Sequence, residues 1–145
     1  MRLVSQVRQF TTDFYQEVVG DAEALSRLGV ATHELIENAV RNSADGVTRL
    51  RIEYEPKVRC ITIRTWNKSN AENLKTLEQR VRDMTAATDL TRFYQQLLKE
   101  SSKRTQGSGL GLGRVRVEAG FTVSLAVEGQ MVSVVAEGTI ESPPA

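Results

Sequence analysis

The sequence predicts an α+β two-layer sandwich, with a mixed, mainly antiparallel sheet covered by helices on one face. Three observations carry this. Segments of strand character come in two adjacent pairs with short connections, and hairpins pair antiparallel. The other long segments repeat apolar residues every three or four positions, as amphipathic helices that need a sheet to cover. The 145 residues, 40% of them apolar, suit a single domain spanning 1–145.

The elements follow in order. Residues 4–19 place Val4, Val7, Phe10, Phe14 and Val18 at helical spacing. Gly20 ends that helix, and Asp21 is a suitable N-cap for the next. A second helix over about 22–43 carries the stripe Leu25, Leu28, Thr32, Leu35 and Ala39, and "SADG" (43–46) stops it. "VTRLRIEYE" (47–55) and "VRCITIRTW" (58–66) read as a hairpin joined at Pro56-Lys57, with Ile61 and Ile63 on one face and Cys60 and Thr62 on the other. Residues 71–103 form two helical pieces broken near "TAATD" (85–89), where Asp89 caps the second. The first piece is striped by Leu74, Leu77, Val81 and Met84, the second by Leu90, Phe93 and Leu97. A short helix over 112–120 ends at Gly120. Strands at 121–128 and 131–137 flank the tight turn Gly129-Gln130.

Composition excludes several classes. No apolar run is long enough to span a bilayer, and "MRLVSQVRQFTTDFY" has no signal-peptide core. The single cysteine, Cys60, makes neither an internal disulfide nor a thiolate metal set, so a reducing cytoplasm is the expected setting. A net charge of +1 gives no electrostatic reason to expect nucleic acid. Within its strand, Cys60 reads as a small buried apolar residue. Trp66 reads as core or lid packing, or else as the lining of a nucleotide or partner pocket, and Phe93 and Tyr94 as core packing in preference to a partner surface.

Two stretches could carry chemistry. "TQGSGLGLGRVRVEAG" (105–120) alternates Gly107, Gly109, Gly111 and Gly113 before a helix. Glycines admit a positive φ and close approach to a ligand, and a helix N-terminus favours an anion. Alone, the run reads more readily as a mobile loop, since it lacks a Walker lysine and no strand leads into it. "ATHELIENAVRNSADG" (31–46) puts Glu34, Asn38 and Arg41 together, opposite the apolar stripe. A carboxylate and a carboxamide at i and i+4 can hold a hard cation through oxygen; otherwise they are a solvated face. His33 reads as a surface or packing residue.

Together these stretches resemble a known pattern. "HELIENAVRNS" is similar to the N box, and "GSGLGLGRV" to the G2 box, of the GHKL (Bergerat-fold) ATP-binding superfamily, in the expected order over about residues 20–137. The resemblance implies that ATP and Mg²⁺ are the cofactors. It implies Asn38 as the Mg²⁺ ligand and Glu34 as the general base, with Arg41 near the phosphates. Gly107, Gly109, Leu110 and Gly111 would form the phosphate loop. Lys99, Lys103 and Arg104 belong to a lid that either closes on the γ-phosphate or is simply basic. The G1 box departs from the pattern. Asn67 stands at the adenine-binding aspartate, with Ser69 and Ala71 at its glycines, and loss of the charge weakens a charge-assisted hydrogen bond. Within the superfamily the chain resembles small bacterial regulators of the SiaB type, akin to the anti-sigma-factor kinases of partner switching. That implies a small regulatory partner, anti-sigma-antagonist-like or sigma-factor-like, phosphorylated on Ser or Thr, and a homodimer. The competing reading is a degenerate pseudo-enzyme that binds a partner protein without nucleotide.

Overall fold

The computed structural model describes residues 2–101 and 110–139. In chain order these form α1 (Arg2–Val19), α2 (Ala22–Asn42), β1 (Arg49–Glu55), β2 (Cys60–Lys68), α3 (Ala71–Ala86), α4 (Leu90–Ser101), α5 (Leu110–Val117), β3 (Thr122–Glu128) and β4 (Met131–Thr139). The sheet order is β1-β2-β4-β3, and all three pairings are antiparallel, with no parallel component among the described residues.

Local chemistry sets the boundaries. Asp21 adopts extended backbone, and its carboxylate accepts from the amides of Glu23 and Ala24, fixing the start of α2. Asn70 does the same for α3 through Asn73 N, and Asp89 for α4 through Arg92 N. Gly20 takes φ +66°, the left-handed conformation that lets the chain turn directly from α1 into α2. The β1–β2 turn is one residue pair longer than expected: strand pairing starts at Cys60, and Arg59 itself has φ 50°.

The core lies between the sheet and α2, α3 and α5. Ile61 and Ile63 on β2, with Val132, Val134 and Ala136 on β4, meet Leu28, Leu35, Leu77, Val115 and Phe121 there. Each such side chain contributes about 1.5–3 kcal/mol by leaving water. Helix α2 is buried on more than the expected stripe. Leu28, Thr32, Leu35 and Ala39 face the sheet, while Ala24, Gly29, Ala31 and Ile36 are also buried. A Cβ at Gly29 would lie 3.1 Å from Thr12 Cγ2, so its absence lets α1 pack closely.

Three expectations are corrected. The apolar spacing of α1 does not make one buried face: Val4 and Thr11 are buried, but Phe10, Phe14 and Val18 are exposed, because α1 rests on α2 rather than on the sheet. Trp66 lies on the open face of the sheet, since strand alternation sends Ile61, Ile63, Thr65 and Asn67 inward and Trp66 outward. There it sits under the Arg64 guanidinium, 5.5 Å from the ring centre. Cys60 shares that open face and is only half-buried, its sulfur 3.5 Å from Glu137 Oε1. Partial burial, followed by the neighbouring carboxylate, raises its thiol pKa.

Among the described glycines the closest approach is at Gly138, where a Cβ would stand 2.5 Å from the Phe121 ring. Gly138→Ala should therefore cost about 1–3 kcal/mol in chemical denaturation. Phe121→Leu should cost less in that background than in the wild type; strictly additive losses would mean that the two positions do not share space.

Candidate functional site: a cleft between α2 and α5

The C-terminal half of α2 supplies Glu34, Glu37, Asn38 and Arg41 at i, i+3, i+4 and i+7, one face of the helix. At Glu34 this face is covered by the first turn of α5, whereas Arg41 at its far end is exposed. A Cβ on Gly111 would stand 2.6 Å from Glu34 Oε2, so any larger residue would push the Glu34 carboxylate aside. Gly111 takes an ordinary helical φ, since it is absent from the positive-φ residues. It serves close approach rather than an unusual backbone conformation. Gly113, two residues on and so on the opposite side of α5, repeats the device against Leu97 and Tyr94 of α4.

One turn beyond Gly111, Arg114 Nη1 donates to Glu34 Oε1 at 3.1 Å. Glu34 is 12% exposed and Arg114 41% exposed. Arg114 also interacts electrostatically with Tyr94 and lies 3.9 Å from Glu118 Oε2. Burial acts to lower the guanidinium pKa, but Glu34 and Tyr94 more than offset it and leave the pKa raised. Burial, and then the Glu118 charge, likewise raise the Tyr94 phenol. With solvent screening around Arg114 allowed for, the ion pair contributes about 1 kcal/mol.

The other polar groups are matched along the helix. Glu37 lies between His33 Nε2, at 3.2 Å, and Arg41, to which it is tightly paired. Asn38 Oδ1 accepts from Asn42 Nδ2 at 3.1 Å, and Asn38 Nδ2 is buried without a partner among the described residues. The resulting cleft has a volume of about 150 Å³. Two carboxylates, Asn38, the guanidinium groups of Arg41, Arg80 and Arg114, and residues Leu110 to Leu112 line it. A larger cavity of about 720 Å³ opens between α3, α4 and α5 over Met84, Phe93, Leu97 and Leu112, and shares Arg80 and Leu112 with the cleft.

The structure thus brings together Glu34, Asn38, Arg41, Leu110 and Gly111. Asn67 is not among the residues lining the cleft or the larger cavity. It is buried on the inner face of the sheet and donates to Lys68 O at 3.2 Å. Ser69 is buried beside it, and Ala71 begins α3 in an exposed position. Lys99 lies on α4, outside the cleft lining. Lys103, Arg104, Gly107 and Gly109 lie outside the described residues. Arg114, Arg80 and Glu37 were not foreseen. Arg114 and Arg80 reach the cleft from distant helices, so no local spacing announces them. The i, i+4 pairs of Glu37 with His33 and Arg41 were legible.

The architecture has a counterpart among solved structures. It matches a chain in the crystal structure of the SiaB-SiaC complex from Pseudomonas aeruginosa. The superposition has a TM-score of 0.67 and covers 94% of this chain and 83% of that one, at 10% sequence identity. At that identity the likeness establishes the fold. The chain matches no protein-family model and no curated protein.

If Gly111 is what seats Glu34 against Arg114, the coupling between E34Q and R114Q should vanish when Gly111 is replaced. A double-mutant cycle by denaturation should give about 1 kcal/mol in the wild-type background and close to zero with Gly111→Ala. The overall cost of Gly111→Ala should be small, because alanine favours the helix by about 1 kcal/mol and the displaced atom is the end of a flexible side chain. Undiminished coupling would separate the ion pair from the glycine.

Proposed function

We propose that the chain is a signalling regulator that docks a small partner protein and holds the phosphates of Mg-ATP in the cleft beside Glu34 and Asn38. The observation that carries this reading is that Arg41, Arg80, Arg114 and the start of α5 line the same cleft as Asn38. Arginine forks and helix N-termini are the groups that bind phosphate oxygens. Asn38 Oδ1 has a second lone pair beside its bond from Asn42. That suits Mg²⁺, which takes few protein oxygens and completes its shell with water and phosphate. The ion would neutralise phosphate charge. The partner half of the reading is supported by the fold being shared with a chain crystallised in a two-protein complex.

The cleft's 150 Å³ suits phosphates but not a whole nucleotide. The adjoining 720 Å³ cavity, floored by Phe93, Met84 and Leu97, has room for the nucleoside. Glu34 can take the proton of a partner Ser or Thr hydroxyl only after Arg114 has turned from it to the phosphates, so the Glu34–Arg114 pair describes a resting state. The same pair, with Asn67 spent on its own strand, favours a second reading: a partner-binding module without turnover.

Calorimetric titration with ATP, with and without Mg²⁺, tests the first reading. Binding should need the metal and fall at least tenfold in Asn38→Ala and Arg114→Gln. No binding up to millimolar ATP would leave the second reading. Asn67→Asp locates the base: a gain of about tenfold, the value of about 1.4 kcal/mol, places it at β2, and unchanged affinity places it in the larger cavity.

A further inference from the structure

We propose that the open face of the sheet is a second binding site, where Trp66 and the cations around it take a short single strand of nucleic acid, one base stacked at the indole and the flanking phosphates on the guanidinium groups. This face is turned away from the helices and from the cleft. The inference therefore goes beyond the function proposed above and holds whether or not ATP binds there.

The first observation is how charge is distributed. A net charge of +1 is an average over the chain, and on the open face the charges are sorted by row. Trp66 stands on β2, one of the two central strands, and points away from the core. Strand pairing puts Arg49 of β1 directly opposite it. Arg64 and Lys68 stand two residues to either side along β2, and Arg51 lies diagonally, directly opposite Arg64. Four cations thus border the only tryptophan in the chain. The carboxylates of the face lie beyond them, with Glu53, Glu55 and Glu137 toward the β1–β2 turn and Glu128 at the outer edge on β3. Arg51 meets Glu53 at 2.9 Å and Lys68 approaches Asp45 at 4.0 Å. Arg49 and Arg64 are exposed and have no carboxylate partner among the described residues. Like charges directly opposite one another destabilise a sheet. The Arg51–Arg64 juxtaposition therefore works against the fold, and an anion shared by both relieves it.

The second observation selects the anion. The Arg64 guanidinium lies 5.5 Å from the centre of the Trp66 ring, so the indole already accepts a planar cation against it. Ring and guanidinium together form a platform, and bases stack on aromatic rings and on guanidinium planes alike. The neighbouring strands present small side chains on this face, Ser133 and Val135 on β4 and Ser124 and Ala126 on β3, so no tall residue walls off the ring on that side. Ser133, directly opposite Trp66, is 7% exposed, and its hydroxyl has no partner among the described residues. It leaves a donor and an acceptor unspent beside the ring. An acidic protein segment would engage the cations but make no use of the indole. The acidic row of Glu53 and Glu137 limits the ligand to about two or three nucleotides laid across β1 and β2, since a longer polyanion would run into those carboxylates.

Because Trp66 is the sole tryptophan, its fluorescence reports this site alone. Titration of the full chain at low salt with a single-stranded oligothymidylate should quench it. The logarithm of the association constant should fall against the logarithm of salt concentration with a slope of about −2, the value for about three phosphates on a single strand. By fluorescence anisotropy of the labelled oligomer, Trp66→Ala should weaken binding about tenfold and Trp66→Phe less. Arg49→Glu and Arg64→Glu should each weaken it at least tenfold, with the far-ultraviolet circular dichroism unchanged because both side chains are exposed. Asn38→Ala and Arg114→Gln should leave the oligomer's affinity as it is. Absence of quenching, an affinity indifferent to Arg64→Glu, or loss of binding in Asn38→Ala, which would place the oligomer in the cleft, would each overturn the proposal. So would poly-L-glutamate that quenches Trp66 and binds as tightly as the oligomer, which would assign the face to an acidic protein.

Discussion

Everything in this molecule is arranged around the burial of α2. It has the sheet beneath it, α1 along one side and α5 along another, so little of its circumference is left for water. Polar residues on the enclosed part of such a helix need partners nearby. Glu37 finds them within the helix, between His33 and Arg41. Asn38 finds one in Asn42 for its oxygen, while its amide nitrogen has no partner among the described residues. Glu34 faces the incoming turn of α5, and it is matched by Arg114 from that helix. The cleft is thus a product of helix packing as much as of any ligand: it forms where the enclosure of α2 is incomplete.

The same constraint explains the glycines. Gly29, Gly111, Gly113 and Gly138 all stand where a methyl group would press on a neighbour, at 3.1 Å or less. The positive-φ glycines are different residues, Gly20, Gly46, Gly120 and Gly129, all at turns. From composition alone the two uses look identical. The run 107–113 therefore contains at least one segment whose glycines serve close packing.

The fold was largely legible because its signals are local. Capping by Asp21, the turn at Gly129 and the alternation of Ile61 and Ile63 each depend on neighbours within a few residues. The candidate site was half legible. Glu34, Asn38 and Arg41 share one helix face, and that is a matter of spacing. Arg114 meets Glu34 across 80 residues of sequence, and Arg80 comes from a third helix, so only the packed structure assembles them. The misreadings have one origin. Spacing shows that Phe10 and Phe14 lie on a common face of α1, and alternation shows that Cys60 and Trp66 lie on a common face of β2, but neither states which face the rest of the chain will cover.

Arg114 touches Glu34 on α2 and Tyr94 on α4, and Gly113 lets Tyr94 and Leu97 lie directly against α5. One side chain therefore ties the cleft to the outer helix pair. A ligand that draws Arg114 away from Glu34 alters what holds α4, and a protein that displaces α4 alters what holds Arg114. By thermodynamic linkage the two effects are equal: each ligand changes the affinity for the other by the same factor. Communication between the interior and the surface would then need no moving domain, only a single guanidinium group with two possible sets of partners.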